Sequence, residues 1–212
     1  MLNQHLKYPL FDTLEVITEL EYTTQTYAKL NPAKPGDFIY GLSAPKNRDK
    51  WHPFFDENIY NQSGVSFSYT KKPLVLYFYS SQWGEAGIAH LKQLSTLQQE
   101  IQYHYGNLLV ITDNAEDLKQ ALWDHSLSLQ FYADQQHELA QLIGIYGENS
   151  PTWNRYAGVE HNVPLPSVYV LDSLRQVAFA HVNEDILAGL PLADITGAVY
   201  QSNKYLADKR SA

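Results

Sequence analysis

The chain of 212 residues contains no cysteine. That absence removes disulfides, thiolate metal sites and thiol nucleophiles together. It fits any compartment, so it constrains chemistry more than location. A basic cluster is also lacking. Fifteen Lys and Arg stand against 23 Asp and Glu, a formal charge of −8. The only concentrations of positive charge are Lys46, Arg48 and Lys50, and later Lys209 with Arg210, both of which read as solvated loop or tail. Nucleic acid and anionic membrane surfaces are therefore not expected as main partners, because neutralising phosphates takes clustered cations. No stretch approaches the ~20 apolar residues of a membrane span. No apolar run follows the early positive charge of "MLNQHLKYPLFDTLEV", so no secretory signal is expected and a cytoplasmic location is the default.

What is present is globular in composition, with 44% hydrophobic and 18% charged residues, enough for one domain with a core and an extension. The sixteen tyrosines read mostly as half-buried packing. We divide the chain into an N-terminal helix and extension, residues 1–35, and a single domain over residues 36–210. In residues 11–30, Leu14, Ile17, Leu20 and Tyr27 recur near helical spacing, which predicts an amphipathic helix ended by Pro32 and Pro35. Residues 36–70 are rich in Pro, Gly, Asn and aromatics and offer only short strand candidates, "DFIYGL" and "VSFSY".

From Pro73 the pattern becomes regular. "LVLYFYS" is a near-continuous apolar run, as in a strand covered on both faces. Ile88, Leu91, Leu94, Leu97, Ile101 and Tyr105 then mark a long helix, with Gly106 as its expected C-cap. "NLLVIT" is a second strand, after which Asp113 or Asn114 caps a helix that turns Leu118, Ala121 and Leu122 inward. "LQFYAD" is a third strand, and Asp134 caps a short helix with Leu139, Leu142 and Ile143. "SVYVLD" and "QVAFAHV" form a hairpin around Ser173 and Leu174, and Pro191 opens a closing helix through Leu192, Ile195, Val199 and Tyr205. This order predicts an α/β fold with a mixed central sheet and helices on both faces. Ligands on such sheets sit beyond the carboxyl ends of the parallel strands, where "SSQWGEAG" lies.

In that turn, Phe78-Tyr79 is followed by Ser80-Ser81-Gln82 and then Trp83-Gly84-Glu85-Ala86-Gly87. The segment from about Pro73 to Val182 resembles the peroxiredoxin-like branch of the alkyl hydroperoxide reductase and thiol-specific antioxidant family, which has a thioredoxin fold. Members carry a strand ending in Phe-Tyr, a short turn into Trp-Cys-Pro-Tyr-Cys, and a long helix. The spacing needs no gap. Gly84 falls where the peroxidatic cysteine would lie, and Gly87 where the second cysteine would. "PLPSVYVLD" looks like the segment in which a proline, usually cis, precedes the fourth strand, which makes Pro166 the candidate. "FAHV" resembles the end of the next strand. The resemblance thus implies a thioredoxin-like three-layer fold with both active-site cysteines missing. A peroxidatic cysteine acts as a thiolate stabilised by a helix N-terminus, attacks the peroxide and is resolved by a second thiol. Glycine does neither. Thiol peroxidase and disulfide chemistry are excluded for this polypeptide by itself.

The remaining cleft candidates are Ser81, Trp83, Glu85, Leu165, Pro166, His161 and Arg155. Ser81 stands where peroxiredoxins keep a Thr or Ser that hydrogen-bonds the peroxide, yet a serine without an adjacent base is a poor nucleophile, and a turn or cap role is the plainer reading. Glu85 complements the helix dipole. Trp83 most simply packs, although it could stack on a ligand. Glu160 and His161 lie in the loop before Pro166, which in thioredoxin folds approaches the active-site turn. The histidines lack metal-ligand spacing, so no metal is expected, and no cofactor is implied. "GEAG" lacks the spacing and the Lys of a phosphate loop.

Three functions follow. The first is a binding or regulatory module for an unknown protein or small-molecule partner. The second is an enzyme with non-thiol chemistry in the remodelled cleft. The third is an interaction protein assembling through Trp51, Phe54 and Phe55. Peroxiredoxin-like domains often dimerise, so the resemblance also implies a homodimer as one assembly.

Overall fold

The computed structural model describes residues 28–39, 72–152, 156, 158–183 and 185–210, and side chains as far as residue 203. The expected helix over 11–30, apart from its last three residues, and the expected strand "VSFSY" lie outside them. Residues 28–30 are not helical. The Ala28 N–H donates to the Asn149 carbonyl instead, and the approach to Pro32 disfavours helix.

Among the described residues, ten elements follow Pro73. Strand β1 is Leu74–Tyr79 and leads through a 3-10 turn, Ser81–Trp83, into helix α1, Gly84–Tyr103. Then come β2 (Asn107–Thr112), α2 (Ala115–Asp124), β3 (Phe131–Ala133), α3 (Glu138–Ile143), β4 (Ser167–Leu171), β5 (Val177–Val182) and α4 (Leu192–Arg210). The five strands lie in the order β3-β2-β1-β4-β5. β1, β2 and β3 are parallel, with Tyr77 opposite Val110 and Val110 opposite Phe131. β4 runs antiparallel to β1, and β5 antiparallel to β4. This is the mixed sheet with helices on both faces that the alternation predicts.

β1 alternates between two cores. Val75, Tyr77 and Tyr79 face Leu91, Leu94, Leu97 and Ile101 of α1, Leu118 and Leu122 of α2, and Ile195 and Val199 of α4. Leu74, Leu76 and Phe78 face Leu139, Ala140 and Ile143 of α3, with Tyr169, Leu171 and Ile39. A strand buried on both faces has no polar position, which is why its sequence reads as an apolar run. Ile39 belongs to a strap. Within "DFIYGL", Asp37 and Ile39 exchange backbone hydrogen bonds with Val177 and Arg175, and Phe38 bridges Gln176.

The caps differ in one place from expectation. Asn114, rather than Asp113, accepts the N–H groups of Glu116 and Asp117. Asp134 accepts those of Leu139 and Ala140, as expected. At the end of α1, however, Tyr105 and not Gly106 takes the left-handed position, with φ of 58°. The Gly106 N–H closes the motif on the Ile101 carbonyl. Glycine is required at 106 for space: a Cβ there would lie 2.6 Å from Cγ1 of Val199 and 2.9 Å from Cγ2 of Ile101. No helix of the described residues is long and apolar enough to cross a membrane.

One polar pair crosses the first core. The Tyr77 hydroxyl lies 2.9 Å from Nδ1 of His90, and Nε2 of His90 lies 2.8 Å from the Ala188 carbonyl. A carbonyl only accepts, so Nε2 carries the proton and Nδ1 accepts from the tyrosine. Both polar groups of a side chain only 2% exposed are thereby satisfied. Burial holds the His90 pKa below its ordinary value. The unfolded chain therefore takes up a proton below about pH 6.5 that the folded chain refuses. Stability should be full above that pH and fall as the pH drops, by up to about 1.4 kcal/mol per pH unit for this group. Urea unfolding from pH 7.5 to 5.0 measures it: His90→Gln should flatten the acid limb relative to the wild type. Equal slopes in the two proteins would remove His90 from the account.

Candidate functional site

The turn after β1 is fixed by its own polar groups. Ser80, buried at the strand end, accepts the Gln82 N–H through Oγ and donates its hydroxyl to Oδ2 of Asp113 at 2.9 Å. Ser81 donates to Oδ2 of Asp117 at 2.7 Å. These bonds tie the end of β1 to the end of β2 and the first turn of α2. Oε1 of Gln82 accepts the N–H of Glu160 at 2.9 Å, which anchors the loop before β4 on the same turn.

The two glycines of the turn differ in what they require. Gly84 has φ 51° and ψ −133°, a conformation open to glycine but costly for any L side chain, although a Cβ there would meet nothing within 4 Å. Gly87 is an ordinary helical residue, but a Cβ would lie 3.0 Å from the Tyr79 ring and 3.1 Å from Cβ of Trp83. The first position has room and the wrong backbone. The second has the right backbone and tight space.

The expected cleft residues separate. Trp83 is 3% exposed and packs against Val159, Val163 and the edge of Tyr156, with ring centroids 5.4 Å apart. Its Nε1 has no partner. Leu165 is buried in the other core, its N–H bonded to the Ile145 carbonyl. Pro166 is also buried, and its carbonyl accepts the Asn183 N–H. Contrary to the cis proline implied by the resemblance, no cis peptide bond occurs among the described residues. The Leu165–Pro166 bond takes the trans form that X-Pro peptides favour. Glu85 is exposed in the first turn of α1. Arg155 lies outside the described residues.

Ser81 and His161 do come together, on a cavity of about 470 Å³. Its other lining residues are Ser80, Gln82, Asp113, Asn114, Asp117, Gln135, His137, Asn162 and Val163. They come from the loops that follow β1, β2 and β3 and from the loop before β4. This is the carboxyl edge of the parallel strands, where ligands of α/β folds bind. Sequence reasoning missed most of these residues. Asp113 and Asp117 carried one usable signal, their place just after a buried parallel strand.

The field in this region is negative. Burial is the main cause that pushes the Tyr79 phenol up to about 12, and Asp117 and Asp113 add to it. The Tyr146 phenol is raised chiefly by burial, with Glu148 and Asp113 contributing. His137 stacks on that ring at 4.1 Å, and its buried Nδ1 has no partner. Among the described residues, no group of three or more His, Asp or Glu is placed to hold a metal ion.

Comparison with known proteins places this geometry in a lineage. Residues 53–180, more than half of the chain, match the AhpC/TSA family. The chain belongs to the AhpC/TSA family. No curated protein matches it. Among solved structures it is similar to a peroxiredoxin-like protein from Aquifex aeolicus, at 10% identity and a TM-score of 0.51, covering 63% of this chain and 74% of that one. It is also similar to the peroxidoxin BcpB from Mycobacterium tuberculosis, at 17% identity and a TM-score of 0.48, covering 63% and 79%. At such identities the likeness concerns the fold alone. This AhpC/TSA member has no cysteine anywhere, so thiol peroxidase chemistry is closed to it.

Gly84→Ala should destabilise the protein by about 1–3 kcal/mol despite the open space beside it. Gly87→Ala should cost less than Gly84→Ala, because Tyr79 and Trp83 need give only a few tenths of an ångström and alanine gains about 1 kcal/mol of helix propensity. Urea unfolding of both variants tests the assignment. A neutral Gly84→Ala would show that its backbone is not restricted to glycine.

Proposed function

We propose that this cysteine-less AhpC/TSA member is a binding or regulatory module whose site is the polar cavity at the carboxyl edge of β1, β2 and β3. One observation carries the reading: the cavity is lined by hydrogen-bonded side chains, while Gly84, which the resemblance sets at the family's reactive position, has a backbone suited to glycine. The partner would be held without covalent chemistry. The cytoplasmic setting expected from the sequence is part of this proposal.

The enzyme alternative has less support. Ser80 and Ser81 each give their hydroxyl proton to an aspartate, and neither is hydrogen-bonded to His137 or His161. A serine nucleophile needs a base aligned on its hydroxyl, usually an imidazole. The aromatic residues Trp51, Phe54 and Phe55 of the assembly alternative lie outside the described residues.

Two measurements test the proposal together. With hydrogen peroxide or an organic hydroperoxide and a thiol donor, consumption should equal that of buffer. In NMR titrations with a panel of small polar molecules, binding should shift the resonances of Ser81, Asp117 and His161 first. Peroxide turnover by the unmodified chain, or shifts confined to other surfaces, would overturn the reading.

A further inference from the structure

We propose that residues 185–190, between β5 and α4, form a latch on the Trp83 side of the turn, held closed by neutral His90 and released when that ring takes up a proton. This is a regulatory device of the fold and does not depend on what the cavity binds.

The latch is pinned at both ends and thin in the middle. At one end Asn183 is buried, and its N–H donates to the Pro166 carbonyl. At the other Leu190 is buried, and its N–H donates to Oε1 of Gln93 on α1 at 2.9 Å. Between them Leu187, Ala188 and Gly189 are exposed. The Ala188 carbonyl accepts from Nδ2 of Asn183 at 2.9 Å and from Nε2 of His90 at 2.8 Å. Ile186 packs against the cluster of Trp83, Val159 and Val163. Two side chains of α1, His90 and Gln93, therefore hold down the segment that places Ile186 on that cluster.

Of these two only His90 changes charge. Its ring is 2% exposed and uses both nitrogens, Nδ1 accepting from Tyr77 and Nε2 donating to Ala188. The titratable groups that act on it across the packing are Tyr77 from β1, through the hydrogen bond, and His181 from β5. Burial keeps the ring neutral, the Ala188 carbonyl opposes this, and His181 works with burial. On α4, Asp194 acts on His181, and α2 brings only Leu118 and Leu122 to this core. In the latch itself, Asp185 accepts the Leu187 N–H. Among the described residues no carboxylate pairs with His90.

A second proton makes Nδ1 a donor facing the Tyr77 hydroxyl, whose own proton then needs another acceptor inside the core. It also buries a cation with no anion beside it, a cost greater than the strengthening of one bond to Ala188 offsets. Solvent lies one chain thickness away, beyond exposed Ala188. Lifting the latch hydrates the imidazolium without unfolding the sheet and carries Ile186 off Trp83. Such local openings need less free energy than global unfolding where a segment has few buried contacts. The open ring takes its proton near about pH 6.5 and the closed ring only below that. The open fraction therefore grows as the pH falls, by up to about tenfold per pH unit.

Native-state hydrogen exchange of the full chain, followed by NMR and corrected for the intrinsic rate at each pH, tests the latch. The Leu190 amide should lose about ten- to thirtyfold of its protection between pH 7 and pH 5. It should stay less protected than the Tyr77 amide of β1 at both. Exchange of the buried Trp83 indole N–H should quicken in parallel. His90→Gln should abolish the pH dependence at Leu190. Protection at Leu190 that ignores pH overturns the proposal, as does a fall that survives His90→Gln. So does a Leu190 amide that exchanges only when Tyr77 does, because the segment would then open only with the whole domain. The first and last of these outcomes are read in the wild type and stand whether or not the variant folds.

Discussion

The structure depends on burying β1 on both faces. Its six residues are at most 3% exposed, and its two sides belong to different cores, one under α1 and α4 and one against α3. Only a strand with no polar face fits between two helical layers. Tyr77 is the exception, and its hydroxyl needs a partner inside the core. His90 supplies it and is in turn tied to Ala188, so one hydrogen-bonded line joins β1, α1 and the loop before α4. The same strand aims the turn that follows it. With Tyr79 fixed opposite Thr112, Ser80 and Ser81 reach the aspartates beyond β2, and the cavity forms where those loops meet.

Much of the fold was readable because burial and periodicity are local in sequence. Apolar runs marked β1, β2 and β4, and the three- to four-residue spacing from Ile88 marked α1. Asp134 and Asn114 were recognisable as caps because short polar side chains satisfy helix N–H groups. The end of α1 was not readable in the same way. Gly106 looked like a left-handed cap, yet Tyr105 takes that conformation and the glycine is there because Val199 of α4 comes close. That contact joins residues far apart in the chain, and spacing does not report it.

The site was readable in its chemistry and not in its geometry. The missing thiols follow from composition alone. The cavity does not, because its walls come from four separate loops. Each residue there has a sufficient local reading: Asn114 as a cap, Asp117 as first-turn charge, Ser81 as a turn serine. Those readings hold, and the same side chains also line a shared space. Trp83 and Leu165 failed as cleft residues for the opposite reason, since both were needed in the cores.

The surroundings of the turn differ from those a thiolate needs. A peroxidatic thiolate needs surroundings that favour negative charge, from a helix N-terminus and nearby donors. Here Glu85 occupies the first turn of α1, and Asp113 and Asp117 stand where they already disfavour ionisation of the Tyr79 phenol. Gly84 adds a backbone that a cysteine adopts only under strain, and Gly87 adds a wall of aromatic carbon. The backbone at Gly84 and the crowding at Gly87 therefore each disfavour a cysteine there.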